Sequence, residues 1–520
     1  MIATSLRSPG VSFEVVKPTA GIDTLRTDIA GFIGPTVRGP VSHLTRVDGW
    51  RDFMDQFGGE ACDFHLPTCV RGYFKNGGQT AYVIRTLADL QSARAIWKIN
   101  STERNEWFPS TPAAGSFDCS EYQVIATSPG EWANDLRVSI DYLRRGFGGL
   151  PQLKITVTPV DGPSEILTLV SPKHLQQDVA EKSRYIRILD PEVKILPAAT
   201  IHQGPLRLNW ETIQLRDGQQ KPASLAQYFS DMDALLDEPE VALIVIPDLH
   251  ALKESHRLVG YAAARANATL DRQLIVPLPD QQSVDESLQW VSLRRQELDD
   301  AARCVTAYLP WLEVRNPLGG TMKPLRRIPP VGHVAGVISR LDRERGAHHT
   351  PANAELYEAA DTERSYLAHE LGQLVNNGLN PVRCRKGRGL EIWGGRTLSD
   401  PDSQPAGAYL AHRRLIHRLV RAIRRVSAPL VFDTHAPQLW LVLVRAITTI
   451  LLEAYRGGAL KGERPEEAFR VTCDESNNPP HRQDTGQVLC EIQLAPATPM
   501  EFITLRISVS SDGRLELIDA

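Results

Sequence analysis

Alternating apolar and polar residues near both ends of the chain predict extended strands. Near the N-terminus, Val11, Phe13 and Val15 alternate with polar residues, which is the two-residue period of a half-buried strand. Near the C-terminus, Leu515 and Leu517 lie in a similar short extended run. Neither run has an obvious partner strand close to it in the sequence. Because an unpaired strand leaves backbone hydrogen-bonding groups open, we expect each to join a sheet edge in its own or another chain.

Between these ends, the hydrophobic pattern predicts an α/β fold with α+β parts, divided into several domains. Residues 21–118 alternate between strands and helices, whereas 119–232 contain short β-rich runs separated by proline and glycine turns, typical of an inserted β domain. The α/β alternation returns over 233–400, where the run VALIVIPD predicts a strand buried on both faces. The strand and helix order that follows predicts a mostly parallel sheet covered by helices.

The C-terminal part, residues 401–510, predicts an α+β domain. Two long helices are predicted at 409–426 and 438–456, and three strand-like runs follow them. The second helix contains the most apolar segment of the chain, but it is only about 17 residues long and includes Arg445 and Glu453, which is too short and too charged for a membrane span. We therefore expect a buried helix and no direct membrane insertion.

Composition and charge are those of an ordinary globular protein. The chain has 520 residues, of which 42% are hydrophobic and 23% charged, and its net charge is −4. A chain so close to neutral argues against a nucleic-acid binder as a whole, although local basic faces stay possible. Seven irregularly spaced cysteines fit a protein made in a reducing compartment. The N-terminal residues lack the long apolar stretch of a secretion signal, so we expect none.

The stretch YFKNGGQTAYVIR contains a glycine corner, Asn76-Gly77-Gly78, of the kind that can hold a phosphate. A phosphate loop places its glycines after a strand and before a helix. Here the predicted order is a helix followed by a strand, so the corner lies at a helix C-terminus, where the dipole is negative. The pattern favours a helix C-cap over a ligand loop, and the chain contains no GxxxxGK[ST] motif.

Other candidate chemistry is weak. Cys62, His65 and Cys69 have the spacing of three zinc ligands, but a fourth is not nearby and Cys69 falls on the apolar side of a predicted helix. The adjacent His348 and His349 are better explained by a solvated turn. Neither GxSxG nor HExxH occurs. We therefore expect a protein that is not an enzyme, without catalytic residues, metal or other cofactor, although catalytic groups are often distant from one another in sequence.

The helix YLAHRRLIHRLVRAIRRVSA carries a one-sided charge pattern. Its arginines fall at i, i+4, i+7 and i+11 and so form one stripe: Arg414, Arg418, Arg421 and Arg425. Leucine, alanine and valine form the neighbouring stripe, which predicts that this side packs on a core. Two interpretations stay open for the arginines, namely a solvated face with scattered ion pairs, or a basic surface for an acidic protein or nucleic acid.

Taken together, these motifs resemble the sheath proteins of contractile phage tails and related contractile injection systems. The resemblance runs over most of the chain, from SPGVSFEV through GYFKNGGQTAYVIR, SPGEWANDLRV and AYLPWLEVRNP, and it is densest in NNGLNPVRCRKGRGLEIWGGRTLS and GGALKGERPEEAFRVTCDESNNPP. Each motif is weakly specific, whereas their number and order are specific. The region 90–120 and much of 140–230 show little resemblance, which fits a variable inserted domain.

The resemblance implies a structural subunit that forms stacked rings of six around an inner tube and contracts from a metastable extended state. It implies terminal arms at 1–20 and 511–520 that exchange strands between subunits, and a C-terminal domain that faces the tube, with the arginine stripe as our candidate contact. The partners implied are further sheath subunits, the tube protein, and baseplate and terminator or cap proteins, without nucleic acid. Assembly would take place in the cytoplasm, for a phage tail or a tail-like particle. The alternative from another class is an α/β enzyme or nucleotide-binding protein with a β insertion.

Overall fold

The computed structural model describes residues 26–60, 64–99, 118–143, 152–159, 162–169, 175–195, 211–318, 322–385, 387–430, 437–480, 488–497, 506–509 and 515–518. The described helices are α1 (Trp50–Phe57), α2 (Leu66–Lys75), α3 (Leu175–Lys182), α4 (Leu225–Asp237), α5 (Ser255–Thr269), α6 (Val284–Leu298), α7 (Val331–Arg345), α8 (Ala368–Asn376), α9 (Leu410–Ser427), α10 (Pro437–Arg456) and α11 (Pro465–Ala468).

The described strands are β1 (Ala30–Gly34), β2 (Leu44–Val47), β3 (Ala81–Arg85), β4 (Ala88–Gln91), β5 (Arg94–Ile99), β6 (Asp118–Ala126), β7 (Arg137–Leu143), β8 (Gln152–Thr158), β9 (Glu165–Leu169), β10 (Ile186–Ile195), β11 (Glu211–Gln214), β12 (Gln219–Lys221), β13 (Leu243–Val245), β14 (Gln273–Pro277), β15 (Val305–Leu309), β16 (Leu312–Arg315), β17 (Leu325–Ile328), β18 (Glu355–Leu356), β19 (Asp361–Thr362), β20 (Leu379–Arg385), β21 (Gly389–Ile392), β22 (Phe469–Thr472), β23 (Glu491–Leu494), β24 (Arg506–Val509) and β25 (Leu515–Ile518).

A nine-stranded sheet forms the centre of the fold, in the order β18-β21-β20-β15-β14-β13-β1-β3-β2. Its inner strands pair in parallel, and antiparallel strands close both edges. The run VALIVIPD supplies the buried strand β13, as the pattern predicts. The predicted α/β class with a mostly parallel sheet is confirmed.

Helices cover both faces of this sheet, and alternate strand residues point to opposite faces. Ile33 and Ile244 pack with α4, α5 and α6 on one face. Phe32 and Val245 pack with α1, α2 and α7 on the other. Burial of apolar side chains in these two clusters, worth about 1.5–3 kcal/mol for each fully buried large side chain, holds the three layers together.

The inserted β domain has its own hydrophobic core between two sheets, β10-β6-β5 and β11-β7-β8-β9. This core reaches from Ala93 to Leu215, and the pair β4–β12 lies just outside it. Helix α4, which includes residues 225–232, packs in the core of the central sheet instead. The core of the inserted domain begins and ends earlier in the chain than the predicted limits of 119 and 232, and the limits of that domain stay a prediction.

Arg85, at the end of β3, holds the junction between the central sheet and the insert. Its guanidinium is fully buried, and burial lowers its pKa. It donates to the backbone carbonyl oxygens of Thr36, Val37, Gly39 and Pro129 and to the side-chain oxygen of Gln220, at 2.9–3.3 Å. One buried cation thus ties the loop after β1 to two segments of the insert.

The described residues group into two compact units, and the boundary falls between Arg414 and Leu415, inside α9. This boundary differs from the predicted start of the C-terminal domain at 401. In the smaller unit, α9, α10, β22 and β23 share a core that includes Leu415, Leu419 and Ile447. The predicted apolar stripe of α9 does pack on a core.

Helix α10 is only partly buried, which corrects the prediction of a buried helix. Trp440 and Leu451 lie in the core, whereas Leu441 and Val442 are exposed. Within the described part of the chain, one helix, Gln438–Arg456, is long and apolar enough to cross a membrane by length and composition, and 22% of its most apolar window is buried.

Candidate functional site

The glycine corner Asn76-Gly77-Gly78 is a helix C-cap that leads into a strand, as predicted. Helix α2 ends at Lys75, and β3 begins at Ala81. Gly77 has a φ of 115°, and a Cβ on Gly78 would lie 2.2 Å from the ring of Tyr73. The glycines are required by the turn and by close packing. The side chain of Asn76 is buried and bonds to the backbone of Gly72 and Tyr357.

Glycines also bring α2 and α7 into direct backbone contact. A Cβ on Gly332 would lie 2.2 Å from the carbonyl oxygen of Cys69, and one on Gly336 would lie 2.4 Å from that of Tyr73. Small residues at such a crossing let two helix backbones approach closely. The corner is among the motifs that carry the resemblance, and together with the crossing it forms a closely packed scaffold.

The carboxyl ends of β1 and β13 mark the point where a sheet of this kind usually binds its ligand. Here Asp248 fills that position. Its carboxylate accepts from the backbone N–H groups of His65 at 2.8 Å and Leu66 at 3.1 Å, at the start of α2. Burial raises the pKa of Asp248 to about 6, against the opposing effect of the two backbone bonds. The chain's own carboxylate therefore takes the helix N-terminus that a phosphate would need.

The proposed zinc spacing does not form a site among the described residues. Cys62 lies outside them. The ring of His65 packs against His250 and Trp311, and burial lowers its pKa to about 3. The buried thiol of Cys69 donates to the carbonyl of Pro329, and burial raises its pKa. In the part of the chain that the structure describes, no group of three or more His, Cys, Asp or Glu residues could hold a metal ion.

The structure divides the arginine stripe on α9 and so corrects the prediction of one exposed basic face. Arg414 is buried and donates to Asp342 at 2.8 Å and to the backbone carbonyl oxygens of Thr27 at 2.9 Å and Ile338 at 3.4 Å. Arg421 is also buried, and it donates to the carbonyl of Arg26. A helical pattern predicts the direction in which a side chain points but not the groups that surround it. In the structure, backbone carbonyl oxygens accept hydrogen bonds from the guanidinium groups of both arginines.

The other two arginines of the stripe stay accessible. Arg418 is half-buried and Arg425 is exposed. The neighbouring Arg424 is exposed as well, so the outer part of α9 still presents positive charge. Any contact with an acidic partner through this helix would rest on its C-terminal half.

The pairing of a small antiparallel sheet in the C-terminal unit was not predicted from the sequence. Strands β22 and β23 pair with each other. Apart from a single bridge between Leu460 and Pro496, neither pairs with a further strand among the described residues. A two-stranded sheet is marginal alone and offers open backbone edges. The sequence did contain a signal for this sheet, because the two strand-like runs that become β22 and β23 had no predicted element to cover them.

The structure describes the predicted C-terminal strand but not the predicted N-terminal strand. Val11, Phe13 and Val15 lie outside the described residues. Leu515 and Leu517 lie on β25, which pairs with β24 in an antiparallel hairpin. The expectation that the C-terminal run lacks a local partner is therefore wrong, because the preceding strand pairs with it. How these strands meet other subunits stays a prediction.

The fold is a doubly covered, mostly parallel sheet with a β insertion, and Asp248 fills the position where such a sheet usually binds its ligand. Residues 223–398 match the family of the phage tail sheath protein central domain. Residues 223–398 thus correspond to the central domain of a phage tail sheath protein, and the resemblance indicated by the motifs is confirmed.

Individual relatives agree. The chain is 27% identical over 202 residues to the tail sheath protein of Vibrio phage KVP40; the match covers 36% of this chain and 27% of the phage protein. The shared segment therefore spans about a quarter of that relative's length.

Solved structures show the same fold over nearly the whole chain. The helical sheath of the anti-feeding prophage in its contracted state has a TM-score of 0.54 at 19% identity, and covers 97% of this chain and 99% of its own. The PVC sheath of an extracellular contractile injection system gives 0.55 at 17% identity, covering 98% and 100%. The sheath tail protein of Listeria innocua gives 0.58 at 12%, covering 91% and 95%.

Proposed function

We propose that this protein is the structural subunit of a contractile sheath. Subunits would stack as rings of six around an inner tube and contract from a metastable extended state to drive the tube through a target envelope. The observation that supports this most strongly is the match of residues 223–398 to the sheath central domain, joined to a common fold with sheath chains over 97–98% of this chain.

The described part of the chain suggests how subunits would be linked. The open edges of β22 and β23 can each accept a strand, and the alternating run Val11, Phe13, Val15 is a suitable donor. Strand addition supplies a row of backbone hydrogen bonds, while residues behind the donor strand act as a hinge. Leu515 and Leu517 would enter as part of the β24–β25 hairpin, which carries its own open edge.

Contact with the tube would use the accessible end of α9. Arg418 and Arg425 remain candidates, whereas Arg414 and Arg421 serve the interior of the subunit. Exposed ion pairs contribute only about 0.2–1 kcal/mol each and are screened by salt. Weak contacts of this kind can hold a subunit on a tube during assembly and release it during contraction.

Contraction would use no nucleotide, because its energy would be stored when the sheath assembles. Asp248 supports this, since it fills the helix N-terminus that would receive a phosphate. A baseplate at one end and a terminator or cap protein at the other would complete the particle. We place assembly in the cytoplasm, for a phage tail or a tail-like injection particle.

Deleting residues 1–17 tests the linkage. We expect the shortened chain to remain folded and soluble but to lose polymerisation, measured by sedimentation and negative-stain electron microscopy. The point variant Phe13→Pro should act similarly because it removes a backbone donor, whereas Phe13→Leu should assemble normally. Ordered sheaths from the deletion variant would exclude strand exchange, and a discrete oligomer that binds nucleotide in the unmodified protein would favour the enzyme alternative.

A further inference from the structure

Two cysteines face each other at one end of the β22–β23 hairpin. Thr472 pairs with Glu491, so the next cross-strand positions belong to Cys473 and Cys490. Directly opposite residues of an antiparallel pair have Cα atoms about 4.5–5.5 Å apart. A disulfide spans Cα separations of about 4.4–6.8 Å, so either kind of cross-strand position is compatible with one.

The surroundings of the pair hold it in place. Both cysteines are free; Cys473 is buried and Cys490 half-buried. Fully buried Asn478 donates to Cys473 Sγ at 3.8 Å and to the carbonyl of Leu489 at 3.0 Å, and accepts from the N–H of Leu489 at 2.7 Å. The residue just before Cys490 is thus fixed to the loop that follows Cys473.

We propose that Cys473 and Cys490 are a reversible dithiol–disulfide pair that locks this hairpin. The oxidant is a small-molecule disulfide such as oxidised glutathione. One protein thiolate attacks it and releases one small thiol, forming a mixed disulfide. The second protein thiolate displaces the other small thiol and forms the Cys473–Cys490 bond. Two protein thiols are oxidised to one disulfide, and one small disulfide is reduced to two thiols.

The electrostatics make this reaction slow near neutral pH. Burial and the neighbouring thiol raise the pKa of Cys490 to about 12, and only a thiolate attacks a disulfide. The pair therefore stays reduced while a subunit is made in a reducing compartment and oxidises later, in an oxidising medium. The bond would close a loop of residues 474–489 and keep β22 and β23 paired, independently of the proposed sheath function.

Peptide mapping of the full-length protein tests the pair directly. The protein is incubated with oxidised glutathione at pH 7 and pH 9, alkylated, and digested with trypsin. Cleavage after Arg470, Arg482 and Arg506 places the two cysteines in separate peptides, 471–482 and 483–506. We expect these peptides to be joined, with two hydrogens lost, at a rate that is independent of protein concentration and at least tenfold higher at pH 9.

Cys384 provides the internal control, because it is exposed and lies in a hairpin opposite Leu390 instead of another cysteine. It should yield only a mixed disulfide with glutathione. In the variants Cys473→Ser and Cys490→Ser, the remaining thiol should also stop at the mixed disulfide, whereas Cys384→Ser should leave the joined peptides unchanged. Wild-type protein that carries Cys473 and Cys490 only as separate glutathione adducts, or paired with other cysteines, would overturn the proposal.

Discussion

Replacing Arg414 by alanine should destabilise the larger unit severely. The Arg414 and Asp342 side chains are only 5% and 4% exposed, and their ion pair measures 2.8 Å. Removing the guanidinium also leaves the carbonyl oxygens of Thr27 and Ile338 without this donor. Asp342 would remain as a buried charge supported by the hydroxyl of Thr27. Breaking a buried pair in this way costs about 3–5 kcal/mol.

Hydrogen exchange of the full-length chain measures this cost locally. Asp342 lies in α7, so the slowest amides of Val331–Arg345 should exchange at least about a hundredfold faster in Arg414→Ala, since about 1.4 kcal/mol corresponds to a factor of ten. The matched control is Arg425→Ala on the same helix, where an exposed side chain should change stability by no more than about 0.5 kcal/mol.

A double variant distinguishes the loss of the ion pair from the cost of leaving one charge buried without its partner. Arg414→Met with Asp342→Leu removes both charges and keeps most of the volume, so it should recover a large part of the loss. If Arg414→Ala exchanges as slowly as Arg425→Ala, the buried anchor is wrong and the arginine is free to serve a surface, as the sequence pattern first suggested.

Three further perturbations concern the helix crossing, a buried histidine and the exposed arginines of α9. Gly332→Ala should lower the free energy of unfolding, measured with urea, by about 1–3 kcal/mol or more, because its Cβ would meet a backbone carbonyl of the facing helix. The control Gly260→Ala lies at an open helical position and should be neutral or stabilising. Equal effects of the two substitutions would contradict the close contact between α2 and α7. Burial lowers the pKa of His333 to about 4, so between pH 6.5 and 4 the unfolded chain binds more protons than the folded chain. The free energy of unfolding should therefore fall by up to roughly 3 kcal/mol as the pH is lowered through that range. The variant His333→Asn should lack this loss, and a variant with the same pH profile as the wild type would contradict the prediction. Arg418→Glu with Arg425→Glu should leave folding intact but reduce assembly on tubes seen by electron microscopy, and unaltered assembly would remove α9 as the tube contact.

The central sheet could be predicted from sequence because its signals are local. The run VALIVIPD is apolar at every position that a doubly covered strand buries. The helix before Asn76-Gly77-Gly78 ends at these glycines, which can adopt the backbone conformation of the turn. Each of these patterns lies within one element and its cap, so no knowledge of distant residues was needed.

The candidate site was less predictable because its contacts join distant parts of the chain. The burial of Arg414 depends on Thr27 and Asp342, far away in sequence, and a helical pattern cannot reveal them. The pairing of β5 with β6 was not predicted because a stretch with a weak hydrophobic pattern separates the two strands in the sequence. For Leu515, the missed partner had a local signal: the Ser-Asp-Gly sequence before it favours a hairpin turn.

The proposed sheath can be examined by helical reconstruction of assemblies formed by the full-length protein, using electron cryo-microscopy. We expect a hollow tube of stacked rings of six, in which strands from neighbouring subunits extend the β22–β23 sheet and α9 lines the lumen through Arg418 and Arg425. Discrete particles without helical order, or a polymer in which β22 and β23 keep open edges, would contradict it.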